Sequence, residues 1–129
     1  MKRVTGFGGV FFKAKDHKAL CAWYEKHLGI PFGTQNYTAF KWADGNNEAQ
    51  TAQSVFSIMP NDTTYYAPSE SSFMLNFRVD DLDALVVALQ AEGIALTEEQ
   101  QNYPYGKFAW IMDPEGNKIE LWEAIDGGF

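Results

Sequence analysis

Few side chains in this chain of 129 residues could do acid-base, nucleophilic or metal chemistry in an apolar setting, and Glu120 is the foremost of them. It lies in Lys118-Ile119-Glu120-Leu121-Trp122, and strand alternation sets it with Trp122 on the face opposite the two aliphatics. Desolvation among rings disfavours the charged form of a carboxyl group, one route to a general base that works near neutral pH. Glu120 is therefore the catalytic candidate. The structural alternative is an inward carboxylate satisfied by a neighbouring hydrogen bond or by Lys118. The two histidines, His17 and His27, fall at the start and end of one predicted helix, where the helix dipole accounts for His27 without a ligand role. Cys21, beside Leu20 in mid-helix, reads as a small buried hydrophobe with no base at hand.

Rings supply the second chemical resource. The chain has ten Phe, six Tyr and four Trp, and many fall on predicted strands or loops. Alternation assigns Phe12 and Phe77 to one layer and Phe11, Met74, Asn76 and Trp122 to the other. A cavity lined by rings, a thioether and a few polar groups follows, with Trp110 and Tyr105 added as ligand-binding candidates. The segment Tyr103-Pro104-Tyr105-Gly106-Lys107 could close over its mouth as a gate or be a plain loop. The same ring-rich face would equally serve as a dimer interface.

The elements that must position these groups come in two copies. A shift of 65 residues sets Val10–Leu20 over Leu75–Leu85, with Phe12/Phe77, Asp16/Asp81, Ala19/Ala84 and Leu20/Leu85 identical. Each copy changes from strand-like content to a helical period after an Asp, a helix cap. In the first copy Gly9–Ala14 reads as a strand. A helix then runs to about Leu28 with Leu20, Trp23, Tyr24 and Leu28 as its buried stripe, stopped by Gly29-Ile30-Pro31. In the second, Phe73–Val79 is the strand, Asp80 or Asp81 the cap, Leu82, Leu85, Val86 and Leu89 the stripe, and Gly93-Ile94 the stop. Further strands are expected over Tyr37–Ala43 and Ser54–Met59 around an Asp44-Gly45-Asn46 turn, then over Ile94–Thr97, Lys107–Met112 and Asn117–Glu123, with a turn at Asp113–Gly116. Pro60–Ser72 reads as a linker and Gly127–Phe129 as a frayed tail.

Composition narrows the class. With 10 Lys+Arg against 17 Asp+Glu the formal charge is -7, so nucleic acid and anionic membrane surfaces are unfavourable partners. No apolar run approaches a membrane span and the lone cysteine forms no internal disulfide. No signal peptide reads through the start, so a cytoplasmic location is expected. Phosphate loops, nucleotide fingerprints and Ser-His-Asp arrangements are not found.

The paired strand-helix-strands pattern resembles the vicinal oxygen chelate superfamily, which includes glyoxalase I, bleomycin-resistance proteins and extradiol dioxygenases. The resemblance rests on Trp23-Tyr24-x-x-x-Leu28-Gly29, on Phe77-Arg78-Val79-Asp80-Asp81 and on Asp113-Pro-Glu-Gly-Asn-Lys-Ile-Glu-Leu-Trp122. It implies an α+β fold in which two paired βαβββ modules, about 4–66 and 72–124 of a single domain over 1–129, form a curved open barrel with the helices outside. It also implies a concave small-molecule site, often around a divalent metal with two protein ligands from each module. The matching positions are Gly9, Ser57, Met74 and Glu120, so Glu120 is the only candidate metal ligand among them.

The expected function is that of a homodimeric protein that binds a small organic molecule in an aromatic cleft, with no cofactor and no tightly held metal. The alternative is a lyase, isomerase or dioxygenase that uses a divalent metal at a divergent site centred on Glu120, with Asn76 or Glu123 as helpers. A third reading is a module that only dimerises through its concave sheet.

Overall fold

The computed structural model of the chain describes residues 3–43 and 51–125. The turn expected at Asp44-Gly45-Asn46 and the tail at Gly127–Phe129 lie outside the described residues. Element order is β1 (Val4–Ala14), α1 (His17–Leu28), β2 (Tyr37–Ala43), β3 (Thr51–Pro60), β4 (Phe73–Val79), α2 (Leu82–Ala91), β5 (Gln101–Tyr103), β6 (Gly106–Met112) and β7 (Lys118–Ala124). One curved, unclosed sheet runs in the order β2-β3-β1-β4-β7-β6-β5, an α+β open barrel with the two helices outside. Among the described residues no helix is long and apolar enough to cross a membrane.

The internal repeat becomes a structural one. Asp16 and Asp81, identical across the 65-residue shift, each cap a helix by accepting from the backbone N–H three residues on, Ala19 at 3.0 Å and Ala84 at 3.1 Å. At the helix ends Gly29 and Gly93 take positive φ of 69° and 87°, the left-handed stop expected of both. β1 and β4 pair antiparallel at the centre, joining the halves, and each pairs in parallel with the last strand of its own half, β3 or β7.

Two departures from the expectation have local causes. Ile94–Thr97 is not a strand. Ile94 N–H closes the end of α2 on the Leu89 carbonyl, so the first strand after this helix forms later, at β5, as a hairpin partner for β6. Among the described residues two strands, β2 and β3, follow the helix of the first half. On α1, Trp23 and Leu28 are exposed, and the buried side is instead Cys21 flanked by Leu20 and Tyr24. Trp23 turns sideways onto Tyr24 and His27, at 5.3 Å and 5.2 Å between ring centroids. Leu82, Leu85, Val86 and Leu89 of α2 are buried as expected.

Alternation along the central strands separates the two faces. Phe12 and Ile58 pack under α1, and Phe77, Ala109 and Leu121 under α2. The opposite face holds a third cluster of Tyr66, Met74 and Trp110 with Phe11, Met59 and Phe108 against it.

Candidate functional site

Strand register places the polar centre of the concave face. Asn76 on β4 and Trp110 on β6 are both directly opposite Glu120 on β7, so three side chains meet on one face of three adjacent strands. Glu120 is 2% exposed and accepts from Asn76 Nδ2 at 2.6 Å, from Trp110 Nε1 at 2.8 Å and from the Tyr65 hydroxyl. Burial pushes its carboxyl above the usual range, against the opposing pull of those three hydrogen bonds and of the nearby Lys118 charge. The same burial, with Glu120 beside it, drives the Tyr65 hydroxyl far above the normal tyrosine range, so Tyr65 donates and does not ionise.

Of the two partners in the structural alternative, the neighbouring hydrogen bonds are made, while Lys118 acts on Glu120 through its charge and makes no bond to it. Its Nζ, 2% exposed, bonds Glu98 at 2.6 Å and the Tyr65 carbonyl at 2.8 Å, and it faces the Tyr65 and Trp110 rings. It thus anchors the backbone from which Tyr65 reaches Glu120. The linker is held nearby through Ser69 Oγ on the Gly116 carbonyl and Ser71 Oγ on Asn117 Oδ1, both at 2.7 Å.

Around this centre the rings enclose a cavity of about 280 Å³. Phe108 stacks near-parallel with Trp110 and with Trp122, at 17° and 5°, along one side of the cavity. Phe11, Val55 and Tyr65 line it too, and Tyr103 and Tyr105, stacked at 5.1 Å and partly exposed, stand at its rim. Those two tyrosines belong to the β5–β6 hairpin, so the segment considered as a gate is a paired sheet edge.

Of the residues singled out from sequence, Phe11, Asn76, Tyr105, Trp110, Glu120 and Trp122 line this one cavity. Met74 does not. It is 0% exposed, packed with Tyr66 and Trp110 beneath the surface. Glu123 faces the other way and accepts from the Leu82 N–H at 2.8 Å at the start of α2. His17 and His27 stay on α1, outside the barrel, and Cys21 is buried there with its thiol pushed up by burial. The lining residues not expected were Val55, Phe108 and above all Tyr65. Two adjacent tyrosines in an otherwise polar linker were the one available signal that this segment docks.

A sequence model of the glyoxalase-like domain matches residues 9–122. The chain belongs to this family. The glyoxalase-like chain is also similar in fold to methylmalonyl-CoA epimerase from Mycobacterium tuberculosis, with 22% identity and a TM-score of 0.61 over 97% of this chain and 91% of that one. The Mn(II)-bound glyoxalase from Novosphingobium aromaticivorans matches with 22% identity and a TM-score of 0.64, over 95% of this chain and 40% of that one. A glyoxalase/bleomycin resistance protein/dioxygenase superfamily member from Vibrio splendidus 12B01 matches at 14% identity and 0.58, over 90% and 96%. No curated protein matches the chain in sequence.

The residues at the four positions implied for a metal do not fit one. A Cβ at Gly9 would lie 1.9 Å from the Val55 carbonyl oxygen, so no ligating side chain can be carried there. Met74 offers a buried thioether and Ser57 a neutral hydroxyl, and both oxygens of Glu120 already accept hydrogen bonds. Among the described residues no group of three His, Cys, Asp or Glu converges.

Proposed function

We propose that this glyoxalase-like protein binds a small, planar organic molecule in the ring-lined cavity of its concave sheet, without a tightly held metal ion. The stacked rings of Trp110, Phe108 and Trp122 carry this reading, because they line the cavity with apolar surface beside a buried polar anchor. The cavity, about 280 Å³, sits at the small end of ligand sites and suits one or two fused rings. Titration with phenol, indole and quinoline, followed by Trp fluorescence and melting temperature, tests the reading. A ligand at about a hundred times its Kd should stabilise the fold by about 2.7 kcal/mol. Tyr105→Ala at the exposed rim and Trp122→Ala in the wall should both weaken binding; unchanged affinity in both would place the site elsewhere.

A proton-transfer enzyme is the second reading, and the raised carboxyl of Glu120 against the Tyr65 hydroxyl favours it. In that case Glu120 takes a proton from the bound molecule, Tyr65 and Asn76 orient its carboxylate, and the rings exclude water. Turnover lost in Glu120→Gln with ligand affinity kept would select this reading. The proposal includes a homodimer in the cytoplasm. Sedimentation at micromolar concentration tests the assembly, and a monomer would remove it.

A further inference from the structure

We propose that the occupant of the cavity is an organic cation, a protonated amine or cationic nitrogen heterocycle borne on an aromatic ring. The inference rests on the binding reading above and narrows its ligand class. What points to it is a buried carboxylate that makes no direct ion pair, although the Lys118 charge lies near it. Fully buried carboxylates are rare in proteins unless a cation is paired with them. Glu120 is 2% exposed, yet its partners are a phenol, an amide and an indole, all neutral. Among the described residues it makes no ion pair, and Lys118, two positions back on the same strand, is committed to Glu98 at 2.6 Å. Arg78, on β4, lies over the Trp122 ring at 4.8 Å, donates to the Gln53 carbonyl at 3.3 Å, and is not part of the cavity lining.

Two further features suit a cation. Asn76 turns its Nδ2 to Glu120 and leaves Oδ1, which packs over Gly8, a buried acceptor with no hydrogen-bond partner among the described residues. Much of the lining is aromatic, and rings attract ammonium and similar groups through their negative potential. A carboxylate, a spare acceptor and stacked rings together form a receptor for a flat cation that carries N–H donors. The formal charge of -7 raises the local concentration of such ligands.

The binding should depend on pH through Glu120. The titratable and charged groups facing it are Tyr65 and Tyr66 from the linker and Lys118 from its own strand, with Glu98 across from Lys118 and Arg78 over the neighbouring Trp122. Burial holds the protons of both tyrosines far above neutrality, so Glu120 is the group whose charge changes. Its carboxyl, pushed up by burial, is neutral in acid and attracts a cation only as it ionises.

Isothermal titration of the full chain with phenethylammonium, its neutral isostere 2-phenylethanol and the anion phenylacetate tests the proposal at low salt. At about pH 8 the ammonium should bind at least about tenfold more tightly than the alcohol, with phenylacetate weakest. Glu120→Gln should shrink that preference to about twofold while the alcohol still binds. If that variant does not fold, the parent supplies the same test. Ammonium affinity should rise with pH as Glu120 ionises, over the range where an alkylammonium stays charged, while alcohol affinity stays flat. Alcohol or phenylacetate binding as tightly as the ammonium, or a flat ammonium profile, overturns the cation while leaving the cavity as a binding site. If none of the three binds, the small-molecule reading falls with it.

Discussion

Glu120 is pulled in opposite directions by its surroundings, and the direction of the outcome fixes the sign of a stability effect. Burial raises its carboxyl pKa more than the hydrogen bonds from Tyr65, Trp110 and Asn76 lower it, so the folded chain holds this proton more tightly than the unfolded chain does. Such a group contributes its stability in full below the ordinary value of 4.5 and loses it as pH rises through the higher folded-state value. Glu120→Gln removes the titration. Relative to this variant the parent should therefore lose stability as pH rises from the ordinary value of 4.5 toward the higher folded-state value, read by urea denaturation at several pH values. A parent-to-variant difference that does not change with pH would sink the assignment. Tyr65→Phe isolates one partner: it keeps the ring and removes the hydroxyl, leaving a buried acceptor short of a donor. A loss of about 1–3 kcal/mol is expected, with the Glu120 carboxyl driven higher still. An unperturbed carboxyl signal in the NMR titration of that variant would mean that Tyr65 does not hold Glu120.

At the scale of elements the two helices share a cap and a stop but not a packing pattern, so equivalent substitutions should differ. Leu85 is 3% exposed inside the α2 cluster, and Leu85→Ala should cost about 2–5 kcal/mol. Leu20, at the same place in the repeat, only flanks the α1 cluster, and Leu20→Ala should cost less, about 1–2 kcal/mol. Equal losses by thermal or urea unfolding would contradict the asymmetry. The repeat itself was legible because its cues are local: an Asp that caps a helix and a Gly that ends it act within a few residues of themselves. The concave face was legible for the same reason, since a period of two assigns Phe11, Asn76, Glu120 and Trp122 to one side wherever the strand is regular. Tyr65 was not, because it reaches Glu120 from a linker whose path is set by tertiary contacts, Lys118 on its carbonyl and Ser69 and Ser71 on the Asp113–Asn117 turn region. Met74 was misjudged as lining because alternation gives a side chain's face but not its depth. On α1, helical periodicity placed Trp23 and Leu28 inside although α1 touches the sheet over little more than Leu20, Cys21 and Tyr24.

The whole molecule depends on one central joint. Gly9 pairs with Val55 of β3 on one side and with Asn76 of β4 on the other, so the two halves of the sheet meet across a residue with no side chain. Its φ is 134°, a conformation L side chains rarely adopt, and an added Cβ would collide with the Val55 backbone. Gly9→Ala should therefore strain β1 against β3 and shift β1 relative to Asn76, destabilising the fold by more than about 2 kcal/mol. Because the ladder through β1 and β4 carries both halves, the loss should appear as one transition at a lower midpoint and not as melting of one module. Fluorotryptophan NMR across a urea series distinguishes these outcomes, since Trp42 reports from the first half and Trp110 and Trp122 from the second. Coincident loss of all three native signals is expected in the parent and in Gly9→Ala. If Trp42 loses its signal while Trp110 and Trp122 keep theirs, the halves fold independently and the cavity, which takes Phe11 and Val55 from the first half and Glu120 from the second, would be an interface between separable units.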